Sequence, residues 1–186
     1  MIRHFLLIVS LLFTGTNTYS QTVFGVKGGL NFSKIEFSDF AHARTGFHAG
    51  GFLEIPTSNE NLFVQAELLL AQHGGKAYYD PNERLILTSL SLPILVKYLI
   101  KSKFYPEVGP QFNFHLSGVY NDYGDKEDVT DEIVRFDYGL AIGAGYKITD
   151  KIHANIRYYI GFNNLLDTFS PEGRNRTFQF SVGHSF

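Results

Sequence analysis

Apolar and polar residues alternate one for one along most of the chain, in eight runs: 22–34, 45–55, 61–73, 85–98, 103–115, 133–148, 151–163 and 175–186. A period of two puts successive side chains on opposite faces of a β-strand, so each run predicts a strand with unlike surroundings on its two sides. In 133–148, Val134, Phe136, Tyr138, Leu140 and Ile142 share one face, while Arg135, Asp137, Gly139, Ala141 and Gly143 share the other. The connections alternate in length: 35–44, 74–84, 116–132 and 164–174 are long, whereas the turns at 56–60, 100–102 and 149–150 are short.

Most of these runs match or exceed the roughly 9–11 residues that a tilted strand needs to cross a bilayer. Tight turns on one side and longer loops on the other are the asymmetry of outer-membrane barrels. The pattern predicts an all-β fold, an eight-stranded antiparallel up-and-down transmembrane β-barrel, with long loops outside and short turns in the periplasm. Periodicity alone does not say which face is inside. In a water-soluble barrel such as a lipocalin the apolar face would point inward.

Three features favour a polar lumen: an export signal, an aromatic C-terminus, and many glycines on the polar face (25, 29, 50, 109, 139, 143, 145 and 161). Lys27, Glu54, Glu67, Lys97, Glu107, Arg135, Asp137, Lys147 and Arg157 are accordingly predicted to form a charge network in the lumen. Buried charges are costly unless paired, so Lys27 is expected to meet Glu54, and Lys97 to meet Glu107 across the short turn near residue 101. Phe52, Phe63, Tyr105 and Tyr159 lie on the same faces and are expected to fill space at the lumen ends.

The last run places Phe178, Phe180, Val182, His184 and Phe186 on one face, and the chain stops on a bare aromatic. On a soluble edge strand this face would invite aggregation. Facing lipid it is expected to serve, through Phe178, Phe180, Val182 and Phe186, as the signal read by the barrel-assembly machinery. At the other end, Arg3, the apolar run 5–13, and Thr18 and Ser20 ahead of Gln21 read as a cleaved secretory signal over 1–20, leaving 21–186 as one barrel domain. With 11 Tyr and 18 Phe the inventory suits strands. Net charge is −2, which gives no electrostatic case for nucleic acid, and the absence of cysteine excludes disulfides and thiolate chemistry.

Several runs resemble the PorT-like outer-membrane β-barrel family (Bacteroidota type): Gly25-Val26-Lys27-Gly28-Gly29-Leu30-Asn31, Gly46-Phe47-His48-Ala49-Gly50, Gln65-Ala66-Glu67-Leu68, Leu92-Pro93-Ile94-Leu95-Val96-Lys97-Tyr98, Gly109-Pro110-Gln111, the glycine-rich 137–146 and the Phe186 ending. Ala66 stands where that family usually has Pro, and Ser185 where a basic residue usually precedes the final Phe. The resemblance implies fold and location in the outer membrane of a Gram-negative bacterium far more than it implies an activity.

Candidate chemistry is sparse. The glycines of 25–31 open no helix and carry no phosphate-loop lysine, so they read as a packed strand. The acidic stretch 122–132 lacks the spacing of an EF-hand, and reads as a solvated loop. His48, His115 and His153 fall on three polar faces. No catalytic residue, metal or cofactor is predicted. The expected role is structural or binding, through external loops over a lumen closed by side chains, with outer-membrane lipid, the barrel-assembly machinery and other envelope proteins as partners. The alternatives are a lipid-modifying enzyme built on a Ser/His site, a narrow porin, and an accessory barrel of a secretion system.

Overall fold

The computed structural model describes residues 22–36, 42–77, 80, 82–165 and 173–186; the signal segment lies outside them. Among the described residues the strands are β1 (Val23–Glu36), β2 (His42–Pro56), β3 (Leu62–Lys76), β4 (Arg84–Tyr98), β5 (Phe104–Asp122), β6 (Asp125–Asp128), β7 (Phe136–Lys147), β8 (Ile152–Asn164) and β9 (Arg174–Ser185). All pairings are antiparallel, in the order β4-β3-β2-β1-β9-β8-β7-β5, and β4 also pairs with β5. Eight strands therefore close on themselves and leave no unpaired edge. The first and last strands form the seam, from Gly25 opposite Ser185 to Glu36 opposite Arg174. This pairing protects the aromatic terminal strand.

The alternation sorts the side chains as the period requires. Phe24, Leu30, Leu68, Ile142, Ile156 and Phe180 are exposed on the outer wall, while Lys27, Gln65, Glu67, Gln111 and Arg157 are buried inside. An outer wall of this kind is unfavourable in water and suited to hydrocarbon. The tight turns and both described chain ends lie at one end of the barrel, here the turn end; the long connections lie at the loop end.

One expected loop is largely ordered strand. β5 runs on to Asp122, turns through Tyr123 and Gly124 (φ 47° and 106°), and returns as β6. Left-handed φ at both central residues is the tight hairpin geometry that glycine favours. β5 pairs with β7 only from Phe104 to Phe114, then with β6 from Val119 to Asp122. On its other side β5 stays paired with β4 out to Asn121, opposite Arg84, so the wall is extended there and β6 takes the place of β7 as the second partner. All four residues of β6 are exposed, and a strand wet on both faces has no reason to alternate, so the sequence pattern was silent there.

Candidate functional site

The lumen is built in layers. At its centre Arg157 on β8 makes a bidentate pair with Glu67 on β3, Nη1 to Oε2 at 2.8 Å and Nη2 to Oε1 at 2.9 Å. Its Nε donates to Glu107 Oε1 on β5 at 2.8 Å. Lys27 Nζ adds a third cationic contact, to Glu67 Oε1 at 3.0 Å. Gln65 donates to the same oxygen of Glu67, and Asn155 donates to Glu107 at 3.0 Å. Two cations and two carboxylates are thereby neutralised and hydrogen-bonded inside the barrel, the condition under which burying them is tolerable.

Two glycines make this reach possible. Gly143 on β7 lies between Glu107 and Arg157 in the register, and a Cβ there would meet the Ile156 carbonyl at 2.5 Å and Glu107 Oε1 at 3.0 Å. Gly50 on β2 sits opposite Lys27, leaving the lysine an open path over β2 to Glu67 on β3.

The expected pairs are therefore replaced by others. Lys27 is opposite Gly50, four positions from the Glu54 register, and it bonds Glu67 instead. Lys97 and Glu107 are opposite each other in the backbone, yet Lys97 Nζ bonds Glu54 Oε2 at 2.5 Å and Gln65 Oε1 at 2.8 Å, while Glu107 turns to Arg157. Arg135 is not in the lumen: it precedes β7 in a turn, half-exposed, and bonds Asp131 at 3.0 Å. The alternation of 133–148 does not extend to it, because the strand starts at Phe136. Lys147 lies at the turn-end mouth, its ammonium 5.7 Å from the Phe63 ring centre. There Glu54, Lys97, Tyr105, Lys147 and His153 line a recess of about 280 Å³.

Towards the loop end the lumen is polar but largely uncharged. Asp137 makes no ion pair among the described residues; Asn113 and Tyr159 donate to its Oδ2 at 3.1 and 2.9 Å. His48 contacts Asn31 Oδ1 through Nδ1 and Ser181 Oγ through Nε2, both at 2.7 Å. Asn31 donates its amide to the carbonyls of Phe47 and Gln72, so its oxygen faces His48. His48 then carries its proton on Nδ1, and Ser181 donates to Nε2. The order Ser–His–Asn is that of a hydrolase relay. Here all three side chains are buried in the lumen wall, and the groups serve one another as a closed hydrogen-bond network. His115 bonds Ser89 at 2.7 Å and His73 bonds Thr177 at 3.2 Å.

Beyond this layer Ile35, Leu85, Leu87, Ile133 and Leu165, all at most 5% exposed, form an apolar plug, with Val129 packed against it. Sequence reading missed the plug: Ile35 and Leu165 fall in segments expected as loops. Their inward parity along β1 and β8 was the available signal. At the C-terminus Phe178, Phe180 and Val182 face outward, and Phe186 is exposed, its backbone amide donating to Phe24 at 2.9 Å.

No curated protein matches the chain in sequence. Among solved structures, Neisserial surface protein A is similar with a TM-score of 0.62 at 15% identity, covering 90% of this chain and 100% of that one. Ail, the attachment invasion locus protein of Yersinia pestis, is similar with a TM-score of 0.52 at 16% identity, again over 90% of this chain and 100% of that one. At such identity the likeness concerns the fold: a small closed barrel. A family model for the outer membrane protein β-barrel domain matches residues 19–167, most of the chain. The chain belongs to the outer membrane protein β-barrel domain family.

Proposed function

We propose that this protein is a closed outer-membrane barrel of the PorT-like type, non-enzymatic, that acts by binding other envelope proteins at its loop end, which faces the exterior. The observation that carries this reading is the double closure of the lumen. The Arg157–Glu67–Glu107–Lys27 cluster and the apolar plug each obstruct it, and an eight-stranded barrel has an interior that side chains can fill. Function then falls on what projects. The β5–β6 arm is an ordered ribbon carrying exposed Asp122, Asp125, Glu127, Asp128, Asp131 and Glu132 against Lys126 and Arg135. Such a surface suits a partner with a basic face, found by electrostatic steering.

The arm is also braced. Tyr120 donates to Glu83 at 2.9 Å, and Tyr123 donates to Asp80, which holds that carboxyl below the usual carboxylate range. Photo-crosslinking from position 126 in intact cells, followed by isolation of the barrel, tests the reading. A partner captured by the native arm and lost on Asp125→Asn/Glu127→Gln/Asp128→Asn substitution is expected. Equal capture by the neutralised arm, or capture only from the turns at the other end, would overturn it.

A further inference from the structure

The eight strands of the closed barrel leave no edge, but β6 is not one of them. It is the last strand of the sheet and, among the described residues, pairs with β5 alone. Its inner edge is fully used. Val129 donates to the Gly118 carbonyl at 3.0 Å, and Asp122 and Asp125 flank the tight turn at Tyr123 and Gly124. Bonded and non-bonded pairs alternate along an antiparallel ladder, so Asp122–Asp125, Tyr120–Glu127 and Gly118–Val129 are the bonded ones. Asn121–Lys126 and Val119–Asp128 are then non-bonded, and Lys126 and Asp128 direct their N–H and C=O groups to the other side. On β5 the corresponding groups have a partner strand, since Asn121 lies opposite Arg84 and Val119 opposite Ile86 on β4. On β6 no described backbone group meets them.

An open edge pairs with any extended chain unless something selects. Here charge selects. Residues directly opposite share a face of the ribbon, so Asp125 and Glu127 stand with Tyr120 and Asp122 on one side, and Lys126 and Asp128 with Asn121 on the other. Asn121 is buried, which makes the first face the outer one. Among the described residues the side chains of Asp125, Lys126 and Glu127 have no hydrogen-bond or ion-pair partner. Two copies meeting through β6 would set these carboxylates against one another, and like charges opposite across strands are destabilising. A strand with cations in the same places would be favoured instead. Its side chains opposite Asp125 and Glu127 would occupy the non-bonded positions, where side chains come closest.

We infer that the outer edge of β6 takes up an extended segment of a partner protein as an added strand, with Lys or Arg at every second position, opposite Asp125 and Glu127. The backbone groups of Lys126 and Asp128 supply the hydrogen bonds, and the carboxylates supply the choice of sequence. This rests on the reading that partners bind at the arm, and adds the manner of binding and the pattern of the bound segment.

The test uses the refolded full-length barrel in neutral detergent and a synthetic peptide of alternating threonine and lysine. Two control peptides accompany it: one N-methylated on the threonine amides, which would face β6, and one with glutamate in place of lysine. Amide hydrogen exchange at Lys126 and Asp128 should slow when the unmodified peptide is added. N-methylation, which leaves the charge unchanged, should weaken binding about tenfold in isothermal titration through the lost backbone bonds. Lys126→Pro removes a donor from the protein side. That N–H takes no part in the β5–β6 ladder, so the edge tolerates its loss, and the change also removes a cation, which by charge alone would tighten the peptide. Weakening of about tenfold by Lys126→Pro, against none by Lys126→Gln, is the expected result. Equal affinity of the methylated and unmethylated peptides, or Lys126→Pro behaving as Lys126→Gln, would overturn the added strand while leaving the arm as a surface for basic partners. Equal binding of the glutamate peptide would overturn the charge pattern. Should Lys126→Pro not fold, the methylated peptide decides by itself. Absence of a crosslinked partner in cells, with peptide binding intact, would count against the proposed function alone.

Discussion

Arg157 and Glu107 meet across a strand that contributes only a hydrogen between them: the guanidinium Nε lies 2.8 Å from Oε1, and the intervening register position is Gly143. The contact ties β8 to β5 over the top of β7. Gly143→Ala should strain this crossing, since its methyl would lie 2.5 Å from the Ile156 carbonyl and 3.0 Å from the carboxylate. Overpacking of this kind costs about 1–3 kcal/mol. Glu107→Ala, which leaves the Arg157 charge short of a partner in the lumen, should cost roughly 3–5 kcal/mol. Urea titration of the refolded barrel, read by tryptophan-independent circular dichroism, checks both; an effect of Gly143→Ala equal to that of an outward Ala substitution would contradict the packing account.

The barrel should not conduct. Mixed charges in the central cluster pair with one another rather than line a channel, and the Ile133–Leu165 plug lies beyond them. Planar-bilayer recording of the unmutated protein is expected to show no steady solute-permeable current. A stable open level would make it a small porin.

Ser181 should be inert to a fluorophosphonate probe in the folded, membrane-inserted protein. Its hydroxyl is committed to His48 at 2.7 Å, and both residues are buried in the lumen. Stoichiometric labelling that disappears in Ser181→Ala would shift the reading to a hydrolase.

Single cysteines in this cysteine-free chain report orientation. Positions 76 and 125 at the loop end should label on intact cells, and positions 58, 102 and 150 in the turns should not. Positions 39 and 172 are expected to label as well; they lie outside the described residues. Labelling of the turns alone would reverse the barrel.

Deleting Phe186 should lower the amount of folded barrel in the outer membrane, measured as the heat-modifiable electrophoretic form. Phe186 is 74% exposed and packs only loosely, with the His184 ring 5.6 Å away. A large stability loss from the deletion is therefore not expected; a drop in assembly with unchanged stability in vitro is. Undiminished folded protein in cells would remove the terminal residue from the assembly signal.

Much of this protein was determined along the chain itself. Strand number, face assignment and the long–short rhythm follow from a two-residue period, which is a local property that each strand carries independently. The polarity of the inner face followed too, since Lys27, Glu67, Glu107 and Arg157 share the parity of the buried positions. Partner choice did not. Which charges meet depends on the stagger of closed strands and on where a side chain is missing, so Lys27 passes Gly50 to reach Glu67, and Arg157 passes Gly143 to reach Glu107. Chain neighbours such as Lys97 and Glu107 came into register and still bonded elsewhere, because a closed lumen offers each charge partners from across the barrel. The apolar plug likewise arises only on closure, when Ile35, Leu85, Leu87, Ile133 and Leu165, far apart in sequence, are brought to one end of the barrel.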